Sequence, residues 1–160
     1  MPRALFSTAA LLLFAVTFAP TDAHAKKRVI GAEMSYALGQ SQQDLAVRYG
    51  WRWKLATALV QADVLGGASL SSENEAIPLA MGGITVGFGP VVQPRVYGRA
   101  GFLFGGSEPS MRQTVGTALV FTMIPKVEIG FNAAYNGETD NGSDFRNTWW
   151  SAAAEASLAF

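Results

Sequence analysis

The chain has 160 residues, 49% of them hydrophobic and only 15% charged, with 17 Gly, no Cys and a formal net charge of zero. Without cysteine there is no disulfide scaffold, thiolate zinc site or cysteine nucleophile, and 12 basic against 12 acidic residues leave no basic face for nucleic acid. Low charge and abundant glycine argue against a coiled coil, so the chain is apolar for a soluble protein yet too interrupted for a bundle of membrane helices.

Residues 1–25 carry the three-part pattern of a secretory signal peptide. Arg3 supplies the positive start, residues 9–18 the apolar centre, Pro20 the break, and Ala23-His24-Ala25 the small-x-small cleavage site. The apolar run is well short of the ~20 residues that a spanning helix needs, which favours a cleaved signal over an anchor. Cleavage after Ala25 leaves residues 26–160 as one domain. Without Arg3 and Asp22 the counts are 11 basic and 11 acidic, still balanced. The sole histidine, His24, departs with the signal. The mature chain then has neither His nor Cys, and lacks the usual general base, nucleophile partner and transition-metal ligand.

From residue 30 onward the hydrophobic pattern has a period of two, the spacing that puts alternate side chains on opposite faces of a strand. The first predicted strand sets Ile30, Ala32, Met34, Tyr36 and Leu38 against Gly31, Glu33, Ser35 and Ala37. The second sets Leu45, Val47, Tyr49 and Trp51 against Ala46, Arg48, Gly50 and Arg52. The third sets Ala56, Ala58, Val60, Ala62 and Val64 against Leu55, Thr57, Leu59, Gln61 and Asp63. In the fourth, Ile84, Val86 and Phe88 alternate with Gly83, Thr85 and Gly87, and in the fifth Val96, Gly98, Ala100, Phe102 and Phe104 oppose Arg95, Tyr97, Arg99, Gly101 and Leu103. The sixth, over residues 113–124, is apolar on both faces and its phase stays open. The seventh sets Val127, Ile129, Phe131, Ala133 and Tyr135 against Glu128, Gly130, Asn132, Ala134 and Asn136. The eighth carries Trp150, Ala152, Ala154, Ala156, Leu158 and Phe160 opposite Ser151, Glu155 and Ser157. Residues 55–65 and 151–160 are Ala-rich enough for helix as an alternative, but both lie between clear strands.

Most of these strands run to about nine to eleven residues, the length that crosses a bilayer at a tilt. The connections at residues 39–44, 66–79, 105–110 and 137–144 read as the longer ones, and those at 52–53, 89–91 and 125 as tight. Sorting long loops to one end and tight turns to the other is the habit of outer-membrane barrels. The predicted fold is all-β: an eight-stranded antiparallel up-and-down transmembrane β-barrel. On this pattern the chain resembles the small bacterial outer-membrane β-barrels of the OmpA/OmpX type. The resemblance covers the whole mature chain and carries no family-specific motif.

The resemblance implies that Leu158 and Phe160, closing the last alternating strand, form the signal read by the barrel-assembly machinery. Glu155 departs from the glycine often found near that point. With the N-terminus periplasmic, Tyr49, Trp51, Trp53, Phe88 and Phe160 form one aromatic girdle, and Tyr36, Phe102, Phe104, Tyr135, Trp149 and Trp150 the other, each at a lipid–water boundary. The expected partner is outer-membrane lipid, with no nucleic acid and no identified surface partner.

The opposite faces carry Glu33, Arg48, Gln61, Asp63, Arg95, Arg99, Glu128, Asn132, Asn136 and Glu155. An eight-stranded interior is only wide enough for side chains, and buried charges must be paired. Glu33, Arg48, Arg95, Arg99, Glu128 and Glu155 are therefore expected to form a structural charge network, with Arg95 and Arg99 reaching across to Glu128. Small barrel enzymes such as the lipid A deacylases and palmitoyltransferases are similar in size. Their sites need a histidine, so nothing carries over, and the expectation is a non-enzymatic protein with no cofactor and no metal. The loops carry Glu73, Glu75, Glu108, Glu138, Asp140 and Asp144 against Arg112 and Arg146. Asp140-Asn141-Gly142-Ser143-Asp144 offers oxygen ligands but not the spacing of an EF-hand, and reads as a solvated loop. The functional expectation is an envelope or surface-interaction protein of the bacterial cell outer membrane. A narrow pore and a soluble periplasmic ligand-binding barrel are the alternatives.

Overall fold

The computed structural model of the chain describes residues 27–55, 57–71, 75–105, 109–139 and 147–160. Eight strands follow one another: β1 (Lys27–Ala37), β2 (Gln43–Leu55), β3 (Ala58–Leu70), β4 (Ala76–Phe88), β5 (Val92–Leu103), β6 (Ser110–Ile124), β7 (Val127–Thr139) and β8 (Asn147–Ala159). Each pairs antiparallel with the next, and β8 closes on β1. Closure leaves no open strand edge along the barrel wall.

The register fixes the shape. Starting at Lys27, the partners run Arg52, Gln61, Thr85, Tyr97, Gly116, Ala134 and Ser151, and return to β1 at Ala37. One circuit therefore climbs ten residues along β1. With eight strands that stagger corresponds to a tilt of roughly 40°, in the usual range for barrels. One irregularity interrupts the ladders, a shift between Thr122 and Ile124 that leaves Met123 as the extra residue of a bulge in β6.

Strands are longer than the hydrophobic pattern alone outlined, running from 11 to 15 residues. The 66–79 segment, read as a loop from its glycines and small residues, is mostly strand. Gly66 to Leu70 pair with Ala76 to Ala80, leaving residues 71–75 as the connection. Likewise Arg52 and Trp53 continue β2 instead of turning, because Leu55 still pairs with Ala58. Glycine and serine in a closed barrel are held by ladders on both sides, which overrides their weak strand preference. The Ala-rich 55–65 and 151–160 segments are strands for the same reason, apart from the handover between Leu55 and Ala58 and from Phe160, which follows β8. The two ends still differ. At one end the successive strands are separated in sequence by five to seven residues (38–42, 71–75, 104–109 and 140–146), and at the other by only two or three (56–57, 89–91 and 125–126).

The sixth strand's phase is decided here. Arg112, Thr114, Gly116, Ala118 and Val120 point inward, whereas Val115, Thr117 and Leu119 point out. The contrast is sharp, with Arg112 1% exposed and Val115 64% exposed. The same division holds all round. Ile30, Met34, Val47, Val64, Val96, Leu119, Ile129, Phe131 and Leu158 stand exposed on the outer surface, while the polar set faces the lumen. An apolar belt of that extent is far larger than the patches a water-soluble monomer exposes, and it is the exterior that lipid solvates.

Candidate functional site

The lumen is the one place where the chain gathers reactive side chains among the described residues. Alternation aims them inward, and the stagger stacks them in tiers along the axis. The tier nearest the tight turns centres on Glu128 of β7. Arg52 of β2 donates to it twice, one of these bonds 2.8 Å long, and Arg95 of β5 donates at 2.8 Å. Ser157 adds a 3.3 Å bond, and Gln61 accepts from Arg52 Nε at 3.0 Å. Above it, Arg48 of β2 meets Glu155 of β8 at 3.0 Å, with Arg95 3.8 Å from the same carboxylate.

The next tier spans the full diameter. Arg99 of β5 donates to Glu33 of β1 at 2.9 Å, four strands away on the ring, and lies 3.9 Å from Asp63. Its guanidinium sits over the Tyr97 ring, 4.4 Å from the centroid, a cation–π contact between inward residues of one strand. The last tier, at the loop end, is Arg112 of β6. It reaches Asp44 of β2 on the opposite wall at 3.0 Å and Glu138 of β7 at 3.4 Å, and lies 5.0 Å from the centroid of Trp149. Ser35 and Ser110 steady its two carboxylates, at 3.2 and 2.7 Å.

Several expectations change on this geometry. Arg95 does reach Glu128, but Arg99 does not: it lies a tier higher and takes Glu33 and Asp63 instead. The stagger of the strands separates Arg99 from Glu128 even though Arg95 shares its face. Arg112 and Glu138 are strand residues of the lumen, not loop charges, and Asp44 joins them. Arg52 belongs to the network as well. Its place in a strict alternation with Arg48 was the available signal, obscured by reading residues 52–53 as a turn. Trp149 is also inside, 6% exposed, one residue out of phase with Trp150 on the lipid face. Tyr49–Trp51 and Tyr135–Trp150 pack as pairs on the outer face, with ring centroids 5.2 and 5.3 Å apart, and Tyr49 stands midway along β2 instead of at its end.

Room for the long guanidinium chains comes from glycine opposite them. A methyl group at Gly83 would stand 2.5 Å from Arg99 Cγ. Between the Glu33–Arg99 and Arg112 tiers lies a cavity of about 30 Å³, bounded by Leu65, Leu79 and Met81 on one wall and Thr114, Asn136 and Ser151 on the other. That is the space of about one water molecule. No group of three or more His, Cys, Asp or Glu is placed to hold a metal ion among the described residues. Leu158 near the end of β8 and Phe160 just after it are both exposed. Ala23, Ala25 and the oxygen-rich 140–144 segment lie outside the described residues.

No protein-family model matches the chain, and no curated protein does. Solved structures do match. A de novo designed transmembrane β-barrel is 16% identical over 84% of this chain and 95% of that one, with a TM-score of 0.55. Neisserial surface protein A is 14% identical over 84% and 96%, at 0.53. The N-terminal β-barrel domain of Pseudomonas aeruginosa OprF is 9% identical over 84% and 97%, also at 0.53. At such low identity the likeness is one of architecture, and it agrees with the apolar exterior: the chain is an eight-stranded transmembrane β-barrel of the outer-membrane type.

Proposed function

We propose that this chain is a non-enzymatic integral protein of the bacterial outer membrane whose closed lumen is a structural plug and whose loop end serves the envelope or contacts partners outside. One observation carries the reading: arginines cross the lumen at successive levels, two of them to the opposite wall, each ending on a carboxylate. Opposite charges so paired offset one another in an interior that, at eight strands, is only wide enough for side chains. In this reading residues 1–25 direct export and are removed after Ala25, residues 26–160 form the barrel, and Leu158 with Phe160 present the terminal strand to the assembly machinery. The tight turns then face the periplasm and the longer connections the exterior.

Two measurements test it. Cell fractionation and a heat-dependent gel shift of the detergent-solubilised protein are expected to place a folded barrel in the outer-membrane fraction. A soluble periplasmic protein with no shift overturns the membrane reading. Planar-bilayer recording is expected to show no steady channels for the wild type, and channels abolished by Glu33→Ala or Arg99→Ala would mean that the tiers line a path.

A further inference from the structure

The described charges are segregated along the barrel axis. Four cations are exposed, Lys27, Arg28, Lys54 and Lys126, and all stand at the tight-turn end: the start of β1, the end of β2 and the β6–β7 turn. Among the described residues none of the four is in an ion pair. Glu128, the side-chain carboxylate of the tier at this end, is turned into the lumen and already held by Arg52 and Arg95. At the loop end the signs reverse. Asp44 and Glu138 are partly exposed and Glu75 is exposed, while Arg112 is buried. The lumen repeats the polarity, with Arg48, Arg52 and Arg95 against Glu128 and Glu155 in the lower half, and Arg99 and Arg112 against Glu33, Asp44, Asp63 and Glu138 in the upper.

The cations also sit at a particular depth. Arg28 lies directly across the β1–β2 ladder from Trp51, and Lys54 follows Trp53 in β2. Phe88 and Phe160 stand exposed at the same rim. Tryptophan collects where acyl chains meet headgroups, so cations one residue from it, or paired with it, are held at the level of the lipid phosphates. Lys126 has a φ of 86°, a left-handed turn position that glycine fills at least cost, and the residue there is a cation.

We propose that this rim is a docking surface for anionic glycerophospholipids, with Lys27, Arg28, Lys54 and Lys126 binding headgroup phosphates of the leaflet at the tight-turn end. The proposal rests on the membrane reading above and adds a lipid class to it. Cations at an anionic surface each contribute roughly a fivefold preference at moderate salt. The four occupy the arc from the β6–β7 turn through β8 to β2, so the surface takes several headgroups side by side.

The test uses the mature chain refolded into phosphatidylcholine vesicles containing a minor fraction of phosphatidylglycerol. The heat-dependent gel shift in pure phosphatidylcholine checks the membrane reading independently of headgroup. Native mass spectrometry of the extracted protein then counts the lipids it retains. The wild type is expected to keep phosphatidylglycerol over phosphatidylcholine by roughly tenfold or more relative to the bilayer, given four cations. The variant Lys27→Gln/Arg28→Gln/Lys54→Gln/Lys126→Gln is expected to lose that preference with its gel shift intact. If the variant does not fold, the wild type in about 0.5 M NaCl replaces it, because the screening length there is only a few ångströms. A wild type with no headgroup preference overturns the proposal. So does a preference that survives in the folded variant or, when that variant fails to fold, in high salt.

Discussion

Glu128 accepts hydrogen bonds from two arginines on different strands, and both guanidiniums are buried. Removing that carboxylate leaves Arg52 and Arg95 as like charges facing one another in a narrow lumen. Glu128→Ala is therefore expected to lose about 3–5 kcal/mol of stability in urea unfolding from detergent micelles, the usual consequence of stranding a buried partner. Replacing a whole pair is a different experiment. Arg48→Met with Glu155→Leu removes both charges together and is expected to cost far less than either single change, since matched apolar replacement of a buried pair is often neutral. A double variant as unstable as the sum of its singles would count against this pairing. Glycine matters at the same scale. A methyl group on Gly116 would stand 2.6 Å from the Tyr97 hydroxyl, so Gly116→Val is expected to displace that ring and cost roughly 1–3 kcal/mol through overpacking, visible as a lowered unfolding midpoint.

At the level of single strands, the alternating pattern was legible wherever one face was polar. β7 and β8 carry Glu128, Asn132, Asn136 and Ser151, Glu155, Ser157 on one side, and the structure turns those faces inward. β6 could not be read this way. Thr114, Gly116, Ala118 and Val120 are no more polar than Val115, Thr117 and Leu119, so local hydropathy carries no phase. Its neighbours impose one, because the register with β5 and β7 sets Arg112 beside Gly101 and Glu138 on the inner face. Thr117, midway along β6 and outward, supplies the check. Thr117→Arg is expected to destabilise the folded barrel in lipid by about 2–4 kcal/mol, the cost of a cation at the bilayer midplane. A neutral result in refolding titrations would place that residue inside instead. β8 carries a second expectation tied to its end: Leu158→Asp with Phe160 deleted is expected to lower the amount of barrel reaching the outer membrane in cells. Its refolding into detergent should change less, since an assembly signal acts on the pathway and not on the folded state.

Over the whole molecule, the sequence by itself determined the class of structure. A run of strand-length alternations limits the chain to a β-fold with a polar and an apolar face, and the lack of His or Cys beyond His24 leaves out chemistry built on those two side chains. It also named most of the lumen charges, because a charged residue in strict alternation with lipid-facing ones has nowhere else to go. Tertiary structure decided who pairs with whom. The ten-residue stagger of the closed sheet sets which inward side chains share a level, and that quantity is a property of all eight ladders together. It put Arg99 with Glu33 instead of Glu128 and drew Arg52 out of a supposed turn. It also moved Arg112, Glu138 and Trp149 from the loops and rim into the interior. Alternation is a local consequence of the strand's period of two, whereas pairing across a barrel depends on closure, which no single strand encodes.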